Sequence, residues 1–302
     1  MTSASGGGPH GVSDDWAKGT LLALFQAAVD AAQPKNLFTP DILPPQPKGR
    51  TSVFGCGKAA GAMAAAFEAV WPHGAQGFVV TQYGYGVSTR EIEVAEAAHP
   101  VPDAASLAAG QRLAELARLA GTDDLIIALI AGGGSALACL PAPGISLADK
   151  QEINRRLLAS GARIGEMNRV RRALSAIKGG RLAALAAPAP TVTYMISDVP
   201  GDDPAAIAGG PMALCPEDGR EALVVMARLG IEVDPRVRDA ILANPAPAEL
   251  PGPHEAHLIA TPALSLAAAA GKAEAEAIEV RNLGDRIEGE ARDVARTMAE
   301  EV

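Results

Sequence analysis

Aromatic residues are scarce in this 302-residue chain, at 3% of the total, although apolar residues make up 48%. Alanine supplies much of that apolar fraction, so the expected core is aliphatic, with close, alanine-lined helix contacts. Cysteine is nearly absent: Cys56, Cys139 and Cys215 are odd in number, far apart, and form no CxxC or His-paired spacing. That excludes a disulfide framework and a zinc site built on cysteine, and it points to a reducing cytoplasm. No run approaches the roughly 18 apolar residues of a membrane span, and the Gly/Ser-rich start has no signal-peptide core. Surplus positive charge is missing too. A net charge of −9 argues against nucleic acid or an acidic membrane as a main partner.

What is present is an α/β pattern organised around one stretch. Six apolar residues run unbroken from Leu125 to Ile130 and stop at Gly132-Gly133-Gly134-Ser135. The run reads as a strand buried on both faces, as in a parallel sheet. A tight turn would need one glycine. Three with a serine leave backbone N–H groups bare for a phosphate, at the place where open α/β sheets bind anionic ligands.

Strands are expected at Ser52–Phe54, Gly77–Thr81, Glu93–Ala97, Thr191–Ile196, His257–Ala260 and Ile278–Asn282. Helices are expected from Asp14 to Ala32, through Met63 to Val70, and over Ala104–Ala120, Leu147–Arg163, Leu174–Ala187 (broken at Lys178–Arg181), Gly219–Leu229, Leu264–Ala277 and Glu288–Val302. Residues 1–13 read as a disordered lead and 14–243 as a Rossmann-like α/β domain. The proline-rich stretch Asn244–Pro253 then marks a boundary, with 254–302 opening a smaller, incomplete α/β domain.

Three groups could carry chemistry. Lys58 stands between a glycine turn and a helix start, where a cation can reach a bound phosphate. Its loop lacks the P-loop spacing but matches GxGxxA through Gly55, Gly57 and Ala60. A dinucleotide site also wants an acidic residue at the end of the next strand, and Thr81 and Gln82 stand there. Asp198, Asp202 and Asp203 follow a buried strand. They could take a proton from a hydroxyl or hold Mg2+, or they could serve the Pro200-Gly201 turn. Arg171, Arg172, Lys178 and Arg181 form a basic stretch that suits either a ligand or a solvated helix face. His99, before Pro100, reads slightly more as structural.

These residues fall in motifs that resemble the class II glycerate 2-kinases, a family also labelled hydroxypyruvate reductase. The motifs are Gly55-Cys56-Gly57-Lys58-Ala59-Ala60, His99-Pro100-Val101-Pro102-Asp103, Gly132-Gly133-Gly134-Ser135-Ala136-Leu137, Glu166-Met167-Asn168-Arg169-Val170-Arg171-Arg172, Lys178-Gly179-Gly180-Arg181 and Ser197-Asp198-Val199-Pro200-Gly201-Asp202-Asp203. The resemblance runs from about Trp16 to the last residue. It implies a Rossmann-like domain and a smaller α/β domain with substrate between them, and ATP- and Mg2+-dependent phosphorylation of the 2-hydroxyl of D-glycerate. Lys58 and Asp198 become the expected catalytic pair, Asp198 as base. Gly55, Gly57, Gly132, Gly133, Gly134 and Ser135 become the nucleotide and phosphate site, Asn168, Arg172 and Lys178 the substrate site, and Asp202 and Asp203 the metal ligands. Partners are small molecules, with a homodimer allowed. The alternatives are an NAD(P)H-dependent hydroxypyruvate reductase and a ligand-binding fragment without activity. Two departures stand out: Ala173 replaces a histidine common in relatives, and the family's C-terminal Gly/Arg-rich motif is expected beyond Val302.

Overall fold

The computed structural model describes residues 13–287 and 289–300. The expected disordered lead lies outside the described residues except for Ser13, which caps the first helix. The strands are β1 (Thr51–Cys56), β2 (Ala75–Gln82), β3 (Ile92–Ala97), β4 (Leu125–Ala131), β5 (Thr191–Ile196) and β6 (His254–Ala260). The helices are α1 (Asp14–Ala31), α2 (Pro34–Leu37), α3 (Ala60–Val70), α4 (Ala104–Leu119), α5 (Gly134–Leu137), α6 (Leu147–Ala159), α7 (Ile164–Ala173), α8 (Arg181–Ala186), α9 (Gly219–Arg228), α10 (Pro235–Leu242), α11 (Pro262–Ala275) and α12 (Ala291–Glu300). None of the described helices is long and apolar enough to cross a membrane.

All six strands form one parallel sheet in the order β3-β2-β1-β4-β5-β6. This is the Rossmann order, and it reverses between β1 and β4. The strand pattern explains the burial. Ile126, Ala128 and Ile130 point to one face, against Leu113, Ala117 and Leu182. Leu125, Ile127 and Leu129 point to the other, against Met63, Phe67 and Trp71. Every residue of β4 is buried, as a central parallel strand requires.

A third core lies apart from the sheet. Ile153 and Leu157 of α6, Val170 of α7, Ala222, Val225 and Met226 of α9, and Val237 and Ile241 of α10 pack into a small helical lobe. Sequence periodicity did not resolve it. The helix expected to run to Arg163 stops at Ala159, because Gly161 takes φ +67°. The next helix, α7, carries Asn168, Arg171 and Arg172. The helix expected from Leu174 forms only at Arg181, because Gly179 and Gly180 take φ +63° and +81°. Helix α10 was not anticipated.

Two expectations near the C-terminal end are corrected. His254–Ala260 does not open a separate sheet: it pairs with β5 as the edge of the same one. Thr191 of β5 fixes that edge with a 2.5 Å hydrogen bond between its hydroxyl and His254 Nδ1. Ile278–Asn282 forms no strand: it leaves the end of α11, where the Ile278 N–H donates to Ala273 O at 3.0 Å, and packs beside Leu266, Ala269 and Ala273 of that helix.

Candidate active site

The loops after β1, β4 and β5 meet where the strand order reverses. Lys58 is fixed there through its backbone. Its N–H donates to Gly132 O at 2.9 Å, and its carbonyl accepts from Thr81 Oγ1 at 2.9 Å. Its side chain is free to extend over the next loop. Gly133 takes φ +81°, and a β-carbon on it would lie 3.2 Å from both Lys58 Cε and the His99 ring. A β-carbon on Gly132 would lie 2.0 Å from Asp198 Oδ2. Lys58, His99 and Asp198 therefore surround one short stretch of bare backbone. No hydrogen bond among the described residues takes up the N–H groups of Gly133, Gly134 or Ser135. An anion could.

His99 is a member of this group, not a remote structural histidine. Burial holds its pKa below the ordinary value, Lys58 pushes the same way, and Asp198 opposes them. The neutral imidazole is thereby favoured near pH 7.

Beside the loops opens a cavity of about 430 Å³. Gly133, Ser135, His99 and Asp198 line it from the sheet side, and Lys150, Asn154, Asn168 and Arg171 line it from α6 and α7. Of the substrate residues expected from sequence, only Asn168 faces it. Arg172 turns away: its Nε donates to Glu217 Oε2 at 2.7 Å, its Nη2 to Oε1 at 2.5 Å, and its Nη1 to Ala205 O at 3.2 Å. Lys178 lies behind the lining, 2% exposed, with Nζ donating to Ala138 O at 3.1 Å. Burial and the neighbouring Lys150 push its pKa down to about 7. Lys150 and Asn154 went unnoticed in the sequence because the α6 face that carries them reads as an ordinary polar helix face.

The expected phosphate glycines divide. Gly55 lies inside β1, where a β-carbon would sit 2.3 Å from Leu129 O, and a β-carbon on Gly57 would sit 2.5 Å from Ala131 O. Both are needed so that β1 can pack against β4, and the Gly57 N–H already donates to Val80 O at 3.2 Å. In the acidic loop, Asp203 Oδ1 accepts from Ala205 N–H at 2.9 Å, which is turn chemistry. Asp202 has φ +55° and a buried Oδ1 without a hydrogen-bond partner. That orphaned oxygen fits a metal ligand. Among the described residues no three acidic, His or Cys side chains are placed so as to hold a metal ion by themselves, and Mg2+ commonly needs only one or two carboxylates beside substrate phosphates.

A family model described as "Domain of unknown function (DUF4147)" matches residues 20–242. The chain belongs to this family. A solved glycerate kinase from Thermotoga maritima superposes with TM-score 0.86 at 33% identity, over 95% of this chain and 69% of that one. The D-glycerate 2-kinase of the same organism is 37% identical over 74% of this chain and 54% of its own length. A "putative hydroxypyruvate reductase" of Agrobacterium vitis is 45% identical over 95% of this chain and 66% of its own length. The chain thus spans about two thirds or less of the curated relatives it matches. The expected likeness to glycerate 2-kinases and the Rossmann-like α/β fold are both borne out.

Proposed function

We propose that this chain carries the centre of an ATP-dependent kinase that phosphorylates the 2-hydroxyl of D-glycerate. The observation that carries the reading is the convergence of Lys58, Asp198 and the unpaired N–H groups of Gly133–Ser135 at the reversal of the sheet. Phosphoryl transfer needs phosphates held in place, charge stabilisation and a base at the acceptor hydroxyl. The bare loop N–H groups cradle the terminal phosphates. The Lys58 ammonium neutralises charge on the transferring group. Asp198, an open carboxylate, accepts the proton of the hydroxyl. Neutral His99 sits between them and can donate a hydrogen bond without repelling Lys58. Mg2+, when bound, supplies charge neutralisation of the phosphates, and Asp202 is the residue suited to hold it. Asp203 keeps the loop folded. The names of the glycerate kinase relatives support the substrate. Three buried, unpaired cysteines suit a reducing cytoplasm.

A nicotinamide reductase finds little support here. Gln82 ends β2 where the ribose carboxylate belongs, and Gly57 is closed against Ala131. The test is a coupled assay with D-glycerate, ATP and Mg2+, run beside one with hydroxypyruvate and NADH. Phosphoglycerate formation is expected in the first. NADH oxidation without any phosphoglycerate would overturn the kinase reading.

A further inference from the structure

The helical lobe brings two cations to the cavity that form no ion pair among the described residues. Lys150 of α6 is 5% exposed and lines the cavity, and the only group among the described residues that its Nζ meets favourably is the neutral thiol of Cys139, not an acid. Arg171 of α7 lines the same cavity, and its Nε donates to Asn154 Oδ1 at 2.9 Å. No ion pair is formed by either cation among the described residues. Asp198 lines the cavity without neutralising either of them. Burial lowers the pKa of both, and for Lys150 the charge of Arg171 pushes the same way. Buried Lys178 adds a third cationic group behind them.

Natural proteins pair a buried cation or neutralise it, because an uncompensated one destabilises the fold. Here no acid among the described residues pairs with either group, and an anion from outside would. An arginine offers a planar fork and a lysine a movable point charge, the combination that suits a carboxylate. The loop N–H groups and Lys58 already form a separate place for phosphate. We infer that Lys150 and Arg171, the latter oriented by Asn154, anchor the carboxylate of the acceptor acid, so that its adjacent hydroxyl is directed toward Asp198. This deepens the kinase reading and rests on it for the identity of the acid.

The test is calorimetric binding of D-glycerate, glycerol and ATP to this chain and to Lys150→Met and Arg171→Met variants. The unsubstituted chain should bind D-glycerate and not glycerol, which has the hydroxyls without the carboxylate. Each variant should weaken glycerate binding by about 10-fold or more while ATP affinity stays within about twofold. The thermal midpoint of ligand-free Lys150→Met should hold or rise, since the variant removes an unbalanced charge; a lysine with a structural role would lower it. Should Lys150→Met not fold, Arg171→Gln carries the test. Unchanged glycerate affinity in the variants would overturn the inference, as would a loss of ATP binding with glycerate retained, which would make this a phosphate subsite. If the chain instead binds another 2-hydroxy acid such as lactate, and the variants lose that, the anchor stands and the glycerate reading falls. If it binds no carboxylate at all, the anchor falls.

Discussion

Two glycine-rich segments, the end of β1 with its following residues and the loop after β4, use their glycines for different ends. In the first, Gly55 and Gly57 let two strands approach, because any β-carbon would strike the Leu129 or Ala131 carbonyl. In the second, Gly132 and Gly133 leave room for side chains that arrive from elsewhere: Asp198 from β5, His99 from the end of β3, and Lys58 from the first loop. Gly134 is intermediate, since a β-carbon there would meet Ala208 and Cys56 at 2.8 Å. Glycine density alone therefore does not mark a phosphate site. What the missing side chain would have touched does. Backbone carbonyls indicate packing, and titratable side chains indicate a site.

The contrast is broken most sharply by substitution at the two loops. Asp198→Asn should cut glycerate phosphorylation by about 10³-fold with the fold intact. Gly132→Ala should act through the same carboxylate, since the new methyl group displaces the flexible end of Asp198. A loss of about 10²-fold with little change in thermal midpoint is expected. Lys58→Met keeps the side-chain length and removes the charge, and it too should cost about 10²-fold. Gly55→Ala should behave in the other way. Its new methyl group meets backbone on a central strand, so stability should fall by about 2–3 kcal/mol while the folded fraction keeps its turnover per molecule. Chemical denaturation and the coupled assay on the same preparations separate the two kinds of effect. Equal behaviour of Gly55→Ala and Gly132→Ala would erase the distinction.

The sheet was legible because its signals are local. β4 announces itself as six consecutive apolar residues, and Thr191–Ile196 as β-branched and aromatic ones. The three loops of the site follow from those strands. The α6/α7 wall was harder to read for physical reasons. A lining helix face and a solvated one have the same alternation of polar and apolar residues, so Lys150 and Asn154 look like surface. Arg171 and Arg172 are adjacent, and nothing local says which of them faces inward. That is set by Glu217, 45 residues after Arg172, which draws Arg172 outward. β6 was misplaced because the prolines before it resemble a linker, whereas they only lead the chain to the sheet edge.

The same contrast between packing and ligand recurs, with the smallest expected effect, at those two arginines. Arg172 and Glu217 form a forked pair with side chains 11% and 22% exposed. Arg172→Met should cost about 1–2 kcal/mol, a value reduced by the remaining solvent access. Burial would raise the pKa of Glu217, but the hydrogen bonds and charge of Arg172, and then Arg169, outweigh it and hold the carboxyl below its ordinary range. A carboxylate whose folded pKa is depressed contributes stability above its unfolded pKa, about 4.3 for glutamate, and loses it as the pH falls through the folded value. The stability gap between the unsubstituted chain and Arg172→Met should therefore be full near neutrality and shrink below about pH 4. Arg171→Met, with no acid to release, should show no such acid dependence and should instead weaken glycerate binding. Denaturant titrations at about pH 7 and about pH 3.5, with calorimetry of glycerate at neutral pH, measure both. If Arg172→Met weakened glycerate as much as Arg171→Met, the assignment of one arginine to packing and its neighbour to ligand would be wrong.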